Sequence, residues 1–323
     1  MAKKIGLVGI YFPGAYDTLH ENVPEGFELV DALSPEAYGN LADCEYLISR
    51  LDIDPDIINH TPNVKFWQRW GAGFDHVDLK AWGERGVPIA TCPGVNSGIV
   101  AELAIMLMLA GYRNLLQINR QLLEGHFPRT EYFGRSFMIK GKTVGVLGLG
   151  HIGKKVAALV TAFGANVIYY DILRQPDQEE KYGYRFVDFD TLLEQSDIFT
   201  VHCPLNEETR GMIGFEQFKK MKPSAMLINT ARGPIVDEAA MIDALTTGKI
   251  ATAGLDTYEH EPLPKDHPLL KLDNVVASAH AGGNTKDNDI NMVNYVYHNI
   301  VAFDRGEPLN TPGDIVNGEF LKK

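Results

Sequence analysis

The chain has 323 residues, enough for about two domains at roughly 150 residues each. With 45% hydrophobic and 22% charged residues it has the composition of an ordinary globular protein, which excludes wholesale disorder. Thirty basic against 42 acidic residues leave a net charge of −12 and a pI near 5.3, which excludes a general binder of nucleic-acid backbone, because that needs a basic face.

In chain order, Met-Ala-Lys-Lys-Ile-Gly runs directly into a strand-like stretch, Ile5–Ile10, without the longer apolar core of a signal peptide. Tyr46–Ser49, Val64–Trp70 and Val87–Thr91 read as further strands. One long helix is predicted from Val100 to about Leu123, with Leu103, Leu107, Ala110 and Leu115 on a common face. Its apolar run, Leu103–Ala110, falls well short of the ~20 residues of a membrane span. Gly125-His126-Phe127-Pro128 breaks the pattern.

After Lys140-Gly141-Lys142 short strands and helices alternate. The strands are Thr143–Leu147, Asn166–Tyr170, Asp197–His202, Ala225–Asn229, Thr252–Leu255 and Asn274–Ala277. The helices include Ile152–Phe163, Phe189–Gln195, Phe215–Lys219 and Glu238–Thr247. This alternation implies βαβ crossovers and a parallel sheet. Cys44, Cys92 and Cys203 are scattered, with no CxxC pair, so neither a disulfide framework nor a metal site is expected. The expected class is a soluble, cytoplasmic, two-domain protein with neither a nucleic-acid nor a membrane partner.

The strongest local motif is Gly148-Leu149-Gly150-His151-Ile152-Gly153. Alone, GxGxxG is a weak signal. Here it follows a strand and opens a helix, and Asp171 ends the next strand 18 residues after Gly153. Gly148 permits the tight turn, Gly150 lets backbone approach a pyrophosphate, and Gly153 lets helix and strand pack closely. The helix amides meet the phosphate charge, and Asp171 accepts from the adenosine ribose hydroxyls. A second glycine cluster, Gly71-Ala72-Gly73-Phe74-Asp75-His76, lacks a third glycine and a following helix. It is rejected as a nucleotide loop, although its amides suit an anion. The fingerprint begins near residue 143, so the dinucleotide domain is inserted into another. The expected division is 1–98 with 286–323 for a substrate domain and 99–285 for a Rossmann domain. The expected class is α/β: a Rossmann-type doubly wound sheet inserted into a smaller flavodoxin-like domain.

From about Lys65 to Arg305 the sequence resembles the D-isomer-specific 2-hydroxyacid dehydrogenases. The matching pieces are Trp70-Gly-Ala-Gly-Phe-Asp-His-Val-Asp78, Pro93-Gly-Val-Asn-Ser97 with Val100-Ala-Glu102, and the Gly148 fingerprint. They continue with Val201-His-Cys-Pro-Leu-Asn206, Asn229-Thr-Ala-Arg-Gly-Pro-Ile-Val-Asp-Glu238, Gly254-Leu-Asp-Thr-Tyr-Glu-His-Glu-Pro262 and Ser278-Ala-His-Ala-Gly-Gly283. The resemblance implies NAD as cofactor, a small 2-hydroxy or 2-keto acid as substrate, and a homodimer that pairs through the helix from Val100 to Leu123, which is apolar over more than one face and would bury Met106, Met108 and Leu109 in the partner.

It also implies a catalytic trio, Arg232, Glu261 and His280. Each makes chemical sense unaided: a planar fork for a carboxylate and a keto oxygen, a proton carrier near neutral pH, and a carboxylate to hold and charge the imidazole. The implied cofactor contacts are His151 and Ile152 at the pyrophosphate, Cys203 and Pro204 on the adenine side with Thr209 nearby, and Thr230, Ala231, Arg232 and Asp256 toward the nicotinamide. The amides of Ala72 and Gly73 would meet the substrate carboxylate with Arg232 and His280. His202, His260 and the three tryptophans read as structural.

There are departures. Phosphoglycerate-oxidising relatives carry Arg-Ser on the strand before the glycine loop. This chain has Ile48-Ser49-Arg50, a displacement by two that keeps the strand face, so a phosphoglycerate dehydrogenase of the short form stays open as an alternative without being supported. The extra regulatory domain of longer phosphoglycerate enzymes is not expected. Arg174 lies three residues after Asp171, where it would weakly favour a 2′-phosphate that Asp171 opposes. A non-catalytic NAD-sensing protein of corepressor type stays open as an alternative. Formate dehydrogenase places Gln where this chain has Glu261.

Overall fold

A computed structural model describes residues 2–50, 53–74, 77–311 and 313–321. Asp75 and His76 of the first glycine cluster lie outside the described residues. The chain folds into two compact units, 1–96 with 284–323, and 97–283.

Among its described residues the first unit holds five parallel strands: β1 Lys3–Gly9, β2 Phe27–Ala32, β3 Tyr46–Arg50, β4 Phe66–Arg69 and β5 Ile89–Ala90. Their order is β2-β1-β3-β4-β5, the flavodoxin-like arrangement. Successive side chains point to opposite faces, so each central strand feeds two cores. Ile5, Leu7, Tyr46, Ile48 and Phe66 pack with Leu19 of the helix Pro13–Glu21 and Val293, Val296 and Ile300 of the helix Lys286–Arg305. Val8, Leu47 and Trp67 face the other way, against Leu41, Ile57 and Trp82. Burial on both faces explains why these strands show no polar alternation. Trp67 and Trp82 meet edge to face at 4.8 Å in that second core.

The second unit holds seven parallel strands. They are β6 Thr143–Leu147, β7 Asn166–Tyr170, β8 Arg185–Phe186, β9 Ile198–Val201, β10 Met226–Asn229, β11 Thr252–Leu255 and β12 Val275–Ala277. The order is β12-β11-β10-β9-β6-β7-β8. The chain winds outward from β6 in one direction and from β9 in the other, so β6 and β9 flank a switch point, where ligands bind in open α/β sheets. Gly153 must be glycine, because a Cβ there would overlap the Gly148 carbonyl. Helix and loop therefore pack as the motif requires.

Two expectations are corrected. The single helix from Val100 to Leu123 is two helices, Ser97–Tyr112 and Leu115–Leu123, bent by 62°. Asn114 breaks the pattern at φ 51, in the left-handed region that Asn tolerates better than most residues. No single helix among the described residues is long and apolar enough to cross a membrane. Met108, expected on a face turned to a partner, is fully buried in its own unit against the β6–β10 face, while Met106 and Leu109 are exposed.

Candidate active site

Three strand ends of the second unit carry the trio. Beyond β10, Asn229 is buried and braces the turn: its side-chain oxygen accepts from the Ala231 amide at 3.1 Å and its amide donates to the Arg232 carbonyl at 2.9 Å. Arg232 donates to the Ala231 carbonyl at 2.8 Å. Gly233 then presses on the carbonyl of Tyr258, where any Cβ would overlap. That close approach lays the segment beyond β10 against the segment beyond β11.

Beyond β11, buried Asp256 organises the third loop. Its carboxylate accepts from the amides of Ala281 and Gly282, each at 2.9 Å, and its carbonyl accepts from the His280 amide at 2.8 Å. His280 is held at φ 50, a conformation costly for a residue with a side chain and common at functional sites. Its Nδ1 lies 2.7 Å from Glu261 Oε2, while Glu261 Oε1 accepts from the Tyr258 amide at 3.0 Å. Burial acts to raise the Glu261 carboxyl. The hydrogen bonds from His280 and Tyr258 and the charges of His280 and Arg232 outweigh it and hold the group below the usual carboxylate range. An ionised Glu261 can only accept, so Nδ1 carries the hydrogen. The Tyr258 hydroxyl donates to the Ser278 carbonyl at 2.6 Å and ties the second loop to the third. Sequence reasoning missed Asn229 and Tyr258. The Asn two residues before Ala231 is an Asx-turn signal that points to the first.

Of the predicted dinucleotide residues, Gly148, Asp171 and Cys203 come together just beyond β6, β7 and β9. Gly148 sits against Cys203, whose amide would lie 2.7 Å from a Cβ at that position, so only bare backbone fits. Gly150 faces open space, and the helix His151–Ala162 starts with no side-chain cap on its first amides. Asp171 accepts from the amides of Leu149 at 2.6 Å and Leu173 at 3.0 Å, which holds its carboxylate beside the loop. Arg174 is forked onto Glu179 by two 2.8 Å bonds. Thr209 donates to the Pro204 carbonyl at 2.7 Å, so its side chain shapes the Cys203–Pro204 turn. Burial pushes the Cys203 thiol up to about 11, so it is protonated at neutral pH. Thr230 Oγ1 is buried without a protein partner at the end of β10. A cradle of bare backbone, uncapped amides and one fixed carboxylate is what a dinucleotide with a free ribose requires.

Ala72 and Gly73 belong to the first unit. Their loop follows β4, with Gly71 at φ 120, its carbonyl accepting from the Cys92 amide at 2.8 Å, and Gly73's carbonyl accepting from Arg69 at 3.4 Å.

The family model for the NAD binding domain of D-isomer specific 2-hydroxyacid dehydrogenases matches residues 105–282, more than half of the chain. This chain belongs to that family. It is an NAD-dependent oxidoreductase acting on a CH–OH donor. It is 38% identical over 284 residues to glyoxylate reductase of Korarchaeum cryptofilum, covering 87% of this chain and 85% of that one. It is 42% identical over 261 residues to D-3-phosphoglycerate dehydrogenase of Archaeoglobus fulgidus, covering 81% of this chain but only 49% of the relative's length. Among solved structures, the NAD-complexed D-isomer specific 2-hydroxyacid dehydrogenase of Lactobacillus delbrueckii ssp. bulgaricus superposes with a TM-score of 0.78 at 28% identity, covering 97% of this chain and all of that one.

Proposed function

We propose that this dehydrogenase interconverts a small 2-keto acid and its D-2-hydroxy acid, with His280 as the proton carrier. The observation that carries the reading is the His280–Glu261 hydrogen bond beside Arg232, beyond the carboxyl ends of three parallel strands. Arg232 offers its fork to the substrate carboxylate and keto oxygen. His280, oriented through Nδ1 by Glu261, gives a proton from Nε2 to the oxygen that becomes the hydroxyl, and takes it back in oxidation. NADH, which the Gly148–Gly153 loop and Asp171 would hold, would supply the hydride for the carbonyl carbon. The amides of Ala72 and Gly73 are the proposed donors to the substrate carboxylate from the first unit. The name glyoxylate reductase, carried by the relative above, supports a short substrate. An NADH-oxidation screen against glyoxylate, hydroxypyruvate, pyruvate, phenylpyruvate and branched 2-keto acids tests it. Turnover of none of them would favour the non-catalytic NAD-sensing alternative.

One observation favours a second reading, oxidation of 3-phosphoglycerate. Arg50 and Arg69 end β3 and β4 in the unit that carries the glycine loop, and both are nearly buried, at 7% and 8% exposure. Arg50 donates to the Ile10 carbonyl and Asn284 Oδ1, and Arg69 to Ser49 Oγ. Two guanidiniums of this kind suit a substrate with a second anionic group. The same screen run with NAD and 3-phosphoglycerate separates the readings.

We further infer a homodimer. Met106, Leu109, Leu115, Leu116 and Leu122 are exposed along the two bent helices, an apolar stretch that monomers seldom leave to water. Sedimentation showing only a monomer at micromolar concentration would overturn it.

A further inference from the structure

Glu261 sits on a strap. Residues 259–266 are exposed except for Leu263, which packs on the core of the second unit. The strap is pinned at its start by Tyr258, which is buried and bonded to Ser278. At its far end His267 Nε2 lies 3.0 Å from Glu238 Oε1, and both side chains are only 15% exposed. His267 Nδ1 accepts from the Leu269 amide at 3.4 Å, so Nε2 carries the hydrogen and donates to Glu238. Glu238 is itself fixed as the first residue of the helix Glu238–Thr246, which Asp237 caps through the Ala240 amide at 2.9 Å.

The two segments are matched twice. Arg232 and Glu261 are 29 residues apart, and so are Glu238 and His267. At one end the Arg232 charge acts on Glu261. At the other the carboxylate stands on the segment beyond β10 and the imidazole donor at the end of the strap. Between them Gly233 lies against Tyr258.

We propose that Glu238 and His267 are positioning residues for catalysis: they fix the far end of the strap so that Glu261 stays in register with His280 and Arg232. The proposal rests on reading Glu261–His280 as the proton-handling dyad. Neither residue touches the reacting atoms. Their effect passes through the placement of one carboxylate, and displacements of about 1 Å at such a site cost on the order of a hundredfold in rate.

The experiment compares Glu238→Ala, Glu238→Gln, His267→Ala and Glu238→Asp with the parent, with Glu261→Gln as reference. It measures kcat, KM, the pH profile of 2-keto acid reduction, NADH Kd by fluorescence and the urea midpoint. Glu238→Ala and His267→Ala should lose roughly ten- to a hundredfold in kcat. Their alkaline limb should move to lower pH, as in Glu261→Gln, with NADH Kd little changed. Glu238→Gln keeps an oxygen to accept from Nε2 and should stay near the parent. Glu238→Asp, shorter by one methylene, should move the same limb by less, and serves if the alanine variants fail to fold. Parental kcat and pH limbs in the pair variants, with only the urea midpoint lowered, would assign the pair a structural role alone and overturn the proposal. An unmoved limb in Glu261→Gln would instead overturn the dyad, and the proposal with it.

Discussion

His280 Nδ1 and Glu261 Oε2 are 2.7 Å apart, and the imidazole is carried there by a backbone held at φ 50. Glu261 lies below the usual carboxylate range, so it is ionised throughout neutral pH. Its charge favours the imidazolium. Reduction needs that imidazolium, so in Glu261→Gln the alkaline fall of kcat/KM should begin at lower pH. Oxidation needs the neutral ring, so its rising limb should move down as well. Both side chains are partly exposed. An ion pair of that kind is worth up to about 1 kcal/mol, and one pH unit corresponds to about 1.4 kcal/mol. The displacement should therefore be no more than about 0.7 of a pH unit. Profiles in both directions check it, and limbs that stay or rise exclude the dyad.

Cofactor choice should follow Asp171, whose carboxylate is fixed by the Leu149 and Leu173 amides. Losing hydrogen bonds to a charged group costs about 1.5–3 kcal/mol, so kcat/KM for NADH should exceed that for NADPH by roughly ten- to a hundredfold or more. Asp171→Ser alone should lose NADH activity without much gain for NADPH, because Arg174 remains forked on Glu179. Asp171→Ser with Glu179→Gln should gain NADPH activity. Equal gains in the single and double variants would show that the fork does not matter.

Gly233→Ala should damage the protein although it adds only a methyl group. Its Cβ would overlap the Tyr258 carbonyl, which is backbone and yields little. Overpacking of this kind costs about 1–3 kcal/mol, and here it also separates the loops of Arg232 and Glu261. The urea midpoint and kcat should fall together. A variant with parental values of both would mean that the two segments are free to part.

His202 should weaken the fold in acid. Burial holds its imidazole at about 3, and Nε2 shares a 2.8 Å hydrogen bond with Thr200. In the unfolded chain a histidine titrates near 6.5. Below that pH the unfolded state binds a proton that the folded state refuses, so stability falls from about pH 6.5 toward about pH 3. His202→Gln removes that dependence. Urea midpoints of parent and variant should converge, or cross in the variant's favour, as pH drops from 7 to 4. A gap that is constant with pH would show that His202 is not held neutral.

Much of the sheet architecture is legible because strands buried on both faces write their position into the chain as unbroken apolar runs. Thr143–Leu147, Asn166–Tyr170 and Thr252–Leu255 have the same limits in the sequence pattern and in the structure. Strands β2 and β8 leave no such mark. Each lies at a sheet edge, is only partly buried and mixes charged with apolar residues, as in Phe27-Glu-Leu-Val-Asp-Ala32. The break at Asn114 is equally hidden, because the apolar pattern runs across it and only the backbone angle marks the turn.

The sequence by itself determined the dinucleotide cradle. Its parts, a strand, three glycines, a helix start and an acid, are local, and each would meet a dinucleotide through backbone or one short side chain. It also named Arg232, Glu261 and His280, through motifs whose residues stand at three separate strand ends. Only the tertiary structure decided what those three do to one another. The 2.7 Å bond between Glu261 and His280, the contact of Gly233 with Tyr258 and the Glu238–His267 clasp join residues 19 to 29 positions apart. No periodicity spans such gaps. The parallel packing of β10, β11 and β12 closes them, because it sets three loops at one edge of a sheet, within reach of a single carboxylate.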